Sequence, residues 1–183
     1  MKNILTTLLL SLVLAASVAA AGYKEETQAL MDRIGELSGG DTGLSDSERL
    51  DEIIQIAYDY TMLNFPEFAT FRGDPRGQDR WTDQSEEAVK ARQQHSRLQL
   101  AALQSIDRDN LGEPAQVNYD LLIEQVKSRI EGFRFPGEYL PINQMGGPQQ
   151  SIARMMSMTR PRNLDDYQNM VSRLEKAPEL IDS

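Results

Sequence analysis

Leu50, Ile53, Ile54, Ala57, Tyr58, Met62 and Phe65 recur three and four residues apart, and this spacing constrains the chain more than any other feature. It lays an apolar stripe along one side of a helix, and such a stripe has to be buried against other elements. The same period returns in Tyr119, Leu122, Ile123, Val126, Ile130 and Phe133. Shorter versions occur in Ala29, Leu30, Ile34 and Leu37, and in Tyr167, Met170, Val171 and Leu174. No alternating strand pattern competes and no internal repeat is present, so the expected fold class is all-α.

Helix boundaries follow from local chemistry. Ser45-Asp46-Ser47-Glu48 has the spacing of a capping box, and Pro66 ends or bends the helix that starts there. A further helix is expected from about Asp83 or Ser85 to Ile106, with Asp83 and Glu86 at capping-box spacing. Pro114 sits where a first helical turn tolerates proline. Lys127, Arg129 and Arg134 suit the negative end of the helix it opens. Near Asn163 another helix begins, with Asp165 and Asp166 in its first turn. Ser38 to Gly43, "SGGDTG", reads as a flexible break.

The start of the chain is a different kind of segment. Lys2 is followed by a mostly apolar run from Ile4 to Val18, then by Ala19-Ala20-Ala21 before Gly22. The run is short for a membrane span and small residues close it, so residues 1–21 are expected to be a cleaved secretory signal. No cysteine follows for a lipid anchor, and the product is expected in the periplasm or outside the cell without stable membrane insertion. The 162 remaining residues divide into a short helix and linker over 22–45 and a helical segment over 46–183. They carry 18 basic against 28 acidic side chains. A surplus of negative charge argues against nucleic acid or anionic membrane as partner. With no cysteine, thiol catalysis, disulfides and cysteine-bound metals are excluded.

The search for chemistry returns no complete constellation. A zinc site of the His-Glu-x-x-His kind needs two histidines one helical turn apart, and this chain has one, His95. His95 shares a helical stripe with Ala91, Leu98 and Ala102 and is expected to be structural or solvent-facing. Ser151 has no nucleophile-elbow motif around it. The pairs Glu25-Glu26, Glu86-Glu87 and Asp165-Asp166 are explained by helix dipoles and solubility. Gly73 to Gln84, "GDPRGQDRWTDQ", fails the calcium-loop pattern, with Arg76 and Gln78 at ligand positions. It is expected to be an ordered loop, its turns set by glycines and Pro75, its arginines and aspartates paired, and Trp81 anchored against helices.

One stretch stands apart. "LPINQMGGPQQSIARMM", residues 140–156, is nearly uncharged and holds two prolines, a double glycine and three of eight methionines. Pro141 and Pro148 favour extended geometry, and Gly146-Gly147 permits close backbone approach. Asn143 and Gln144 offer donors and acceptors to a peptide backbone, and Met155 and Met156 offer adaptable apolar surface. These residues suit one wall of a groove for an extended peptide. On the residues alone they suit better a buried connector whose amides satisfy its own backbone.

"PEFATFRGDPRGQDRWTDQS" (Pro66 to Ser85), "NYDLL" (Asn118 to Leu122) with "GFRFP" (Gly132 to Pro136), and "LPINQMGG" (Leu140 to Gly147) occur in this order. Together they resemble the N-terminal part of the exported bacterial family known as domain of unknown function 885, over about Leu50 to Ser183. The resemblance implies a longer, predominantly helical protein with a later His-Glu-x-x-His motif, similar to zinc-dependent peptidases with a deep channel. It implies that this chain is the front, non-catalytic segment of a larger metallopeptidase-like fold, with an irregular Pro/Gly loop at about 136–148. Zinc and a peptide or related amide substrate would then belong to the full-length parent, and no metal ligand is carried over here. Asn143, Gln144, Gly146 and Gly147 are the candidates to line or brace the channel. The ending, Pro178-Glu179-Leu180-Ile181, reads as the opening of another amphipathic segment, or as a frayed terminus. The competing expectation is a small secreted helical module that binds a partner through the same loop and catalyses nothing.

Overall fold

A computed structural model describes residues 22–39, 42–135 and 147–182, and all regular structure in them is helical. In chain order α1 covers 22–38, α2 is Asp46–Asn64, α3 is Pro66–Arg72 and α4 is Glu86–Gln104. A single 3₁₀ turn, Arg108–Asn110, precedes α5, Glu113–Gly132. The last three are α6, Pro148–Met158, α7, Leu164–Glu175, and α8, Ala177–Asp182. No strand occurs among the described residues, as the hydrophobic period requires.

Local signals set most helix starts. At α2 the capping box is complete: Ser45 Oγ accepts from the Glu48 N–H, and Glu48 Oε2 accepts from the Ser45 N–H at 2.9 Å. Replacing Ser45 with alanine removes one of these bonds and is expected to cost about 1 kcal/mol. The check is a lower urea midpoint with an unchanged denaturant slope. At α4 the cap is Ser85, which accepts from the Ala88 N–H, rather than Asp83. Asp83 instead accepts from the Ser85 N–H, an Asx turn one step before the helix. Pro66 opens α3 and Pro114 lies in the first turn of α5, where a missing N–H costs nothing.

The core is built from Ile34 and Leu37 of α1, Leu50, Ile53 and Ile56 of α2, Ala102 and Leu103 of α4, and Tyr119 and Val126 of α5. Each fully buried aliphatic here contributes about 1.5–3 kcal/mol by leaving water. The inward face of α5 is the expected one, with Leu122, Ile123 and Ile130 packed at its margin. On α2 Leu50, Ile53 and Met62 are buried as expected, and the rest of the buried face is rotated from expectation. Ile56, Tyr60 and Leu63 are buried, whereas Ile54 and Tyr58 are largely exposed. Both sets obey helical spacing, and the neighbours decide between them: α4 and α5 cover the Ile56 side. On α1, Ala29 is exposed and Met31 is buried in its place.

Arg49 clasps three segments. It is 4% exposed and donates to the carbonyls of Leu37 and Ser105, both at 3.0 Å, and to Asp46 at 3.2 Å. The last turn of α1, the start of α2 and the end of α4 therefore close on one guanidinium.

The largest correction concerns α7. Tyr167, Val171 and Leu174 were expected to face inward, yet they are exposed, together with Leu164, which is 70% exposed. The residue α7 buries most deeply is Arg173, at 1%. Its guanidinium finds three oxygen acceptors on the 66–82 segment, an environment that an apolar side chain could not satisfy. Asn163 caps this helix, its Oδ1 accepting from the Asp166 N–H at 2.8 Å.

Candidate functional site

The loop after α3 is ordered by its own side chains. Gly73 ends the helix at φ 75° and Gly77 turns the loop at φ 64°. A Cβ on Gly77 would lie 2.8 Å from Pro66 Cβ, so both conformation and space demand glycine there. Arg76 grips Asp74 with two bonds, Nε to Oδ1 at 2.8 Å and Nη2 to Oδ2 at 2.6 Å, and reaches Asp59 at 2.7 Å. The hydrogen bonds from Arg76 hold the Asp74 carboxyl down at about 2, so it stays ionised and committed. Gln78 Nε2 donates to the Asp74 carbonyl at 2.6 Å, and its Oε1 accepts from Thr70 at 2.9 Å.

Trp81 anchors the loop as expected. It is 6% exposed, and its indole N–H donates to the Arg173 carbonyl at 2.7 Å. The Arg173 side chain answers with Nε to the Arg80 carbonyl (3.1 Å), Nη1 to Thr70 Oγ1 (3.0 Å) and Nη2 to the Gly77 carbonyl (2.8 Å). Lys176 adds an ion pair to Asp79 at 3.0 Å. Burial pushes both the Arg173 and Arg80 guanidiniums below their ordinary range. Arg80 lies 3.8 Å over the Tyr23 ring.

With α7 held to this loop, a cavity of about 410 Å³ opens between them. Its walls include Thr70, Asp74 and Gln78 on one side, and Arg160, Arg162 and Asn169 on the other. Pro75, Met158 and Met170 supply apolar patches. The volume lies within the range of small-molecule sites. Asp166, also at the rim, accepts from the Arg162 N–H at 2.8 Å and sits 3.7 Å from Arg162 Nε. These residues come from two stretches some ninety positions apart, and neither carries a ligand-binding motif, so sequence reasoning missed the site.

Of the residues expected to line a channel, Asn143, Gln144 and Gly146 lie outside the described residues. Gly147 is the cap of α6, at φ 153° and ψ 170°, a backbone that favours glycine. Pro148 is not extended: it opens α6, using proline's fit to a first helical turn. Met155 is buried rather than displayed, at 8% exposure.

His95 is a core residue. It is 3% exposed and stacks on Tyr60, with ring centroids 3.6 Å apart and planes at 9°. Burial, helped by Arg129, pushes its imidazole down to about 4. Burial likewise raises the Tyr60 phenol to about 12. No group of three His, Asp or Glu side chains that could hold a metal ion occurs among the described residues. No described helix is long and apolar enough to cross a membrane.

Among the described residues the architecture is thus an all-helical scaffold with a loop-bound cavity. The profile of a family described as "Bacterial protein of unknown function (DUF885)" matches residues 66–183, from the start of α3 onward, and the chain belongs to that family. No curated protein and no solved structure matches it.

Proposed function

We propose that this chain is the non-catalytic N-terminal portion of an exported zinc-dependent hydrolase of peptides or related amides, supplying core and part of the wall of a substrate channel. The observation that carries the reading is the exposed apolar face of α7. Leu164, Tyr167, Val171 and Leu174 line one side of a helix whose other side is pinned to the body by Arg173. An apolar stripe of this length at helical spacing is a packing surface. In this reading further helices of the parent cover it, and Asn143, Gln144, Gly146 and Gly147 are the residues that line or brace the channel.

The residues of this chain do not fit a zinc ion. Its one histidine is enclosed against Tyr60 and held neutral by burial, with no carboxylate or second imidazole grouped beside it among the described residues. In this reading the metal and its ligands belong to residues other than these.

Two measurements test the reading. Residues 22–183 alone are expected to bind no zinc tightly and to hydrolyse no peptide, and zinc-dependent turnover by them would overturn the division of labour. Reading the gene beyond the Ser183 codon is expected to reveal a long open frame with a His-Glu-x-x-His pair. A stop codon there would replace the hydrolase with a binding module.

A further inference from the structure

The cavity between the Thr70–Gln78 segment and α7 is lined by two carboxylates and two guanidiniums, and one of these four charges is unengaged among the described residues. Its two carboxylates are already engaged, Asp74 by the Arg76 fork and Asp166 by the backbone N–H and side chain of Arg162. Arg160 is exposed at the rim and makes no ion pair or side-chain hydrogen bond among the described residues. The stretch around it, residues 147–164, contains Arg154, Arg160 and Arg162 and no acidic residue, in a chain whose net charge is −9. Asn169, facing the same space, also has no side-chain hydrogen bond among the described residues. Beside these unengaged donors lie the apolar surfaces of Met158 and Met170.

A planar guanidinium and a primary amide lining the same cavity can both donate to a carboxylate, and an apolar patch there takes the side chain on the same carbon. We propose that this cavity binds the C-terminal residue of a peptide, with Arg160 and Asn169 donating to its terminal carboxylate and Met158 and Met170 receiving an apolar side chain. The proposal rests on the peptide-hydrolase reading and adds a subsite to it, with directionality: the chain enters with its free C-terminus toward α7.

The test uses the full chain with ¹³C-methyl methionine and follows the Met158 and Met170 resonances. The probes are N-acetyl-alanyl-leucine as the free acid, the same compound as its C-terminal amide, and inorganic phosphate. The free acid is expected to give saturable shifts with a Kd on the order of 1 mM, about tenfold tighter than the amide. Arg160→Gln is expected to weaken the acid about tenfold and leave the amide unchanged, whereas Arg154→Gln, on α6 away from the cavity, leaves both unchanged. Arg160 is exposed and has no partner among the described residues, so its replacement is not expected to threaten the fold.

Equal binding of acid and amide would overturn the carboxylate subsite while leaving a peptide-binding protein. Shifts from phosphate as strong as those from the acid would make this a general anion site and overturn the peptide assignment. Absence of shifts from every probe would overturn the subsite alone, because the hydrolase reading is decided by the gene's continuation and by turnover.

Discussion

Replacing Arg173 with alanine is expected to destabilise the fold by about 3 kcal/mol, through buried acceptors left without donors. Its guanidinium gives hydrogen bonds to the Arg80 and Gly77 carbonyls and to Thr70 Oγ1, and no carboxylate lies within ion-pair distance among the described residues. The charge is held by carbonyl dipoles, which is why burial presses on it without displacing it. Alanine leaves the Arg80 carbonyl without its donor, leaves the Gly77 carbonyl only the Arg80 N–H, and opens a void beside Trp81, whose ring lies 5.6 Å from the guanidinium carbon. Arg173→Met fills the void and removes the cost of a buried charge, so about half the loss is expected. Arg173→Lys keeps the charge but replaces a fork with a point donor that cannot reach three diverging acceptors, and should cost more than methionine. Urea midpoints give the ranking. Trp81 is the one tryptophan, and its indole N–H is tied to α7 through the Arg173 carbonyl, so loosening shifts its emission to the red. An unshifted emission and an unchanged midpoint for the alanine variant would refute this account.

The contrast between α2 and α7 explains what was legible in the sequence. The Ser45–Glu48 box, Pro66, Pro114 and the Asn163 cap are local devices whose partners lie within four residues, and each does what its spacing implies. The face a helix buries is a tertiary choice. On α2 two stripes share Leu50 and Ile53 and diverge to either side of them, and packing by α4 and α5 selected Ile56 and Tyr60 over Ile54 and Tyr58. On α7 the pattern pointed the wrong way altogether, because the surface it meets presents oxygen atoms rather than carbon, and only Arg173 can satisfy them. The need of Trp81 for an anchor was readable, but its acceptor ninety-two residues later was not. The cavity was invisible for the same reason. Its arginines and its Thr70–Gln78 wall meet because Trp81 and Arg173, with Ser172 and Lys176 on Asp79, lock them together. The family relation was legible from "PEFAT", "GDPRGQDRW" and "NQMGG", and the profile match from residue 66 agrees with it.

Acidification from pH 6.5 to pH 4 is expected to remove about 3 kcal/mol of stability through His95 alone. The imidazole is enclosed by Tyr60 and faces the positive charge of Arg129, and its folded value is pushed down to about 4. In the unfolded chain it returns to the ordinary histidine value of about 6.5. Above that pH neither state holds a proton here, and the contribution is fully present. As pH falls through the window the unfolded chain takes up a proton that the folded one refuses, so the equilibrium moves toward unfolding. Below about pH 4 the folded imidazole also protonates and this group contributes no further change. Carboxylates titrate in the lower part of the same range, so the measurement is a difference: urea stability against pH for the natural chain and for His95→Phe, which keeps a ring against Tyr60 but cannot titrate. The natural chain should show the steeper slope between pH 6.5 and 4. Because His95 is the only histidine, its ring carbon resonance in the folded protein is a second and direct readout. A titration centred near 6.5 in that signal, with parallel stability curves for the two proteins, would mean that water reaches the imidazole. The stack on Tyr60 would then not be the closed core contact that makes His95 unfit for zinc.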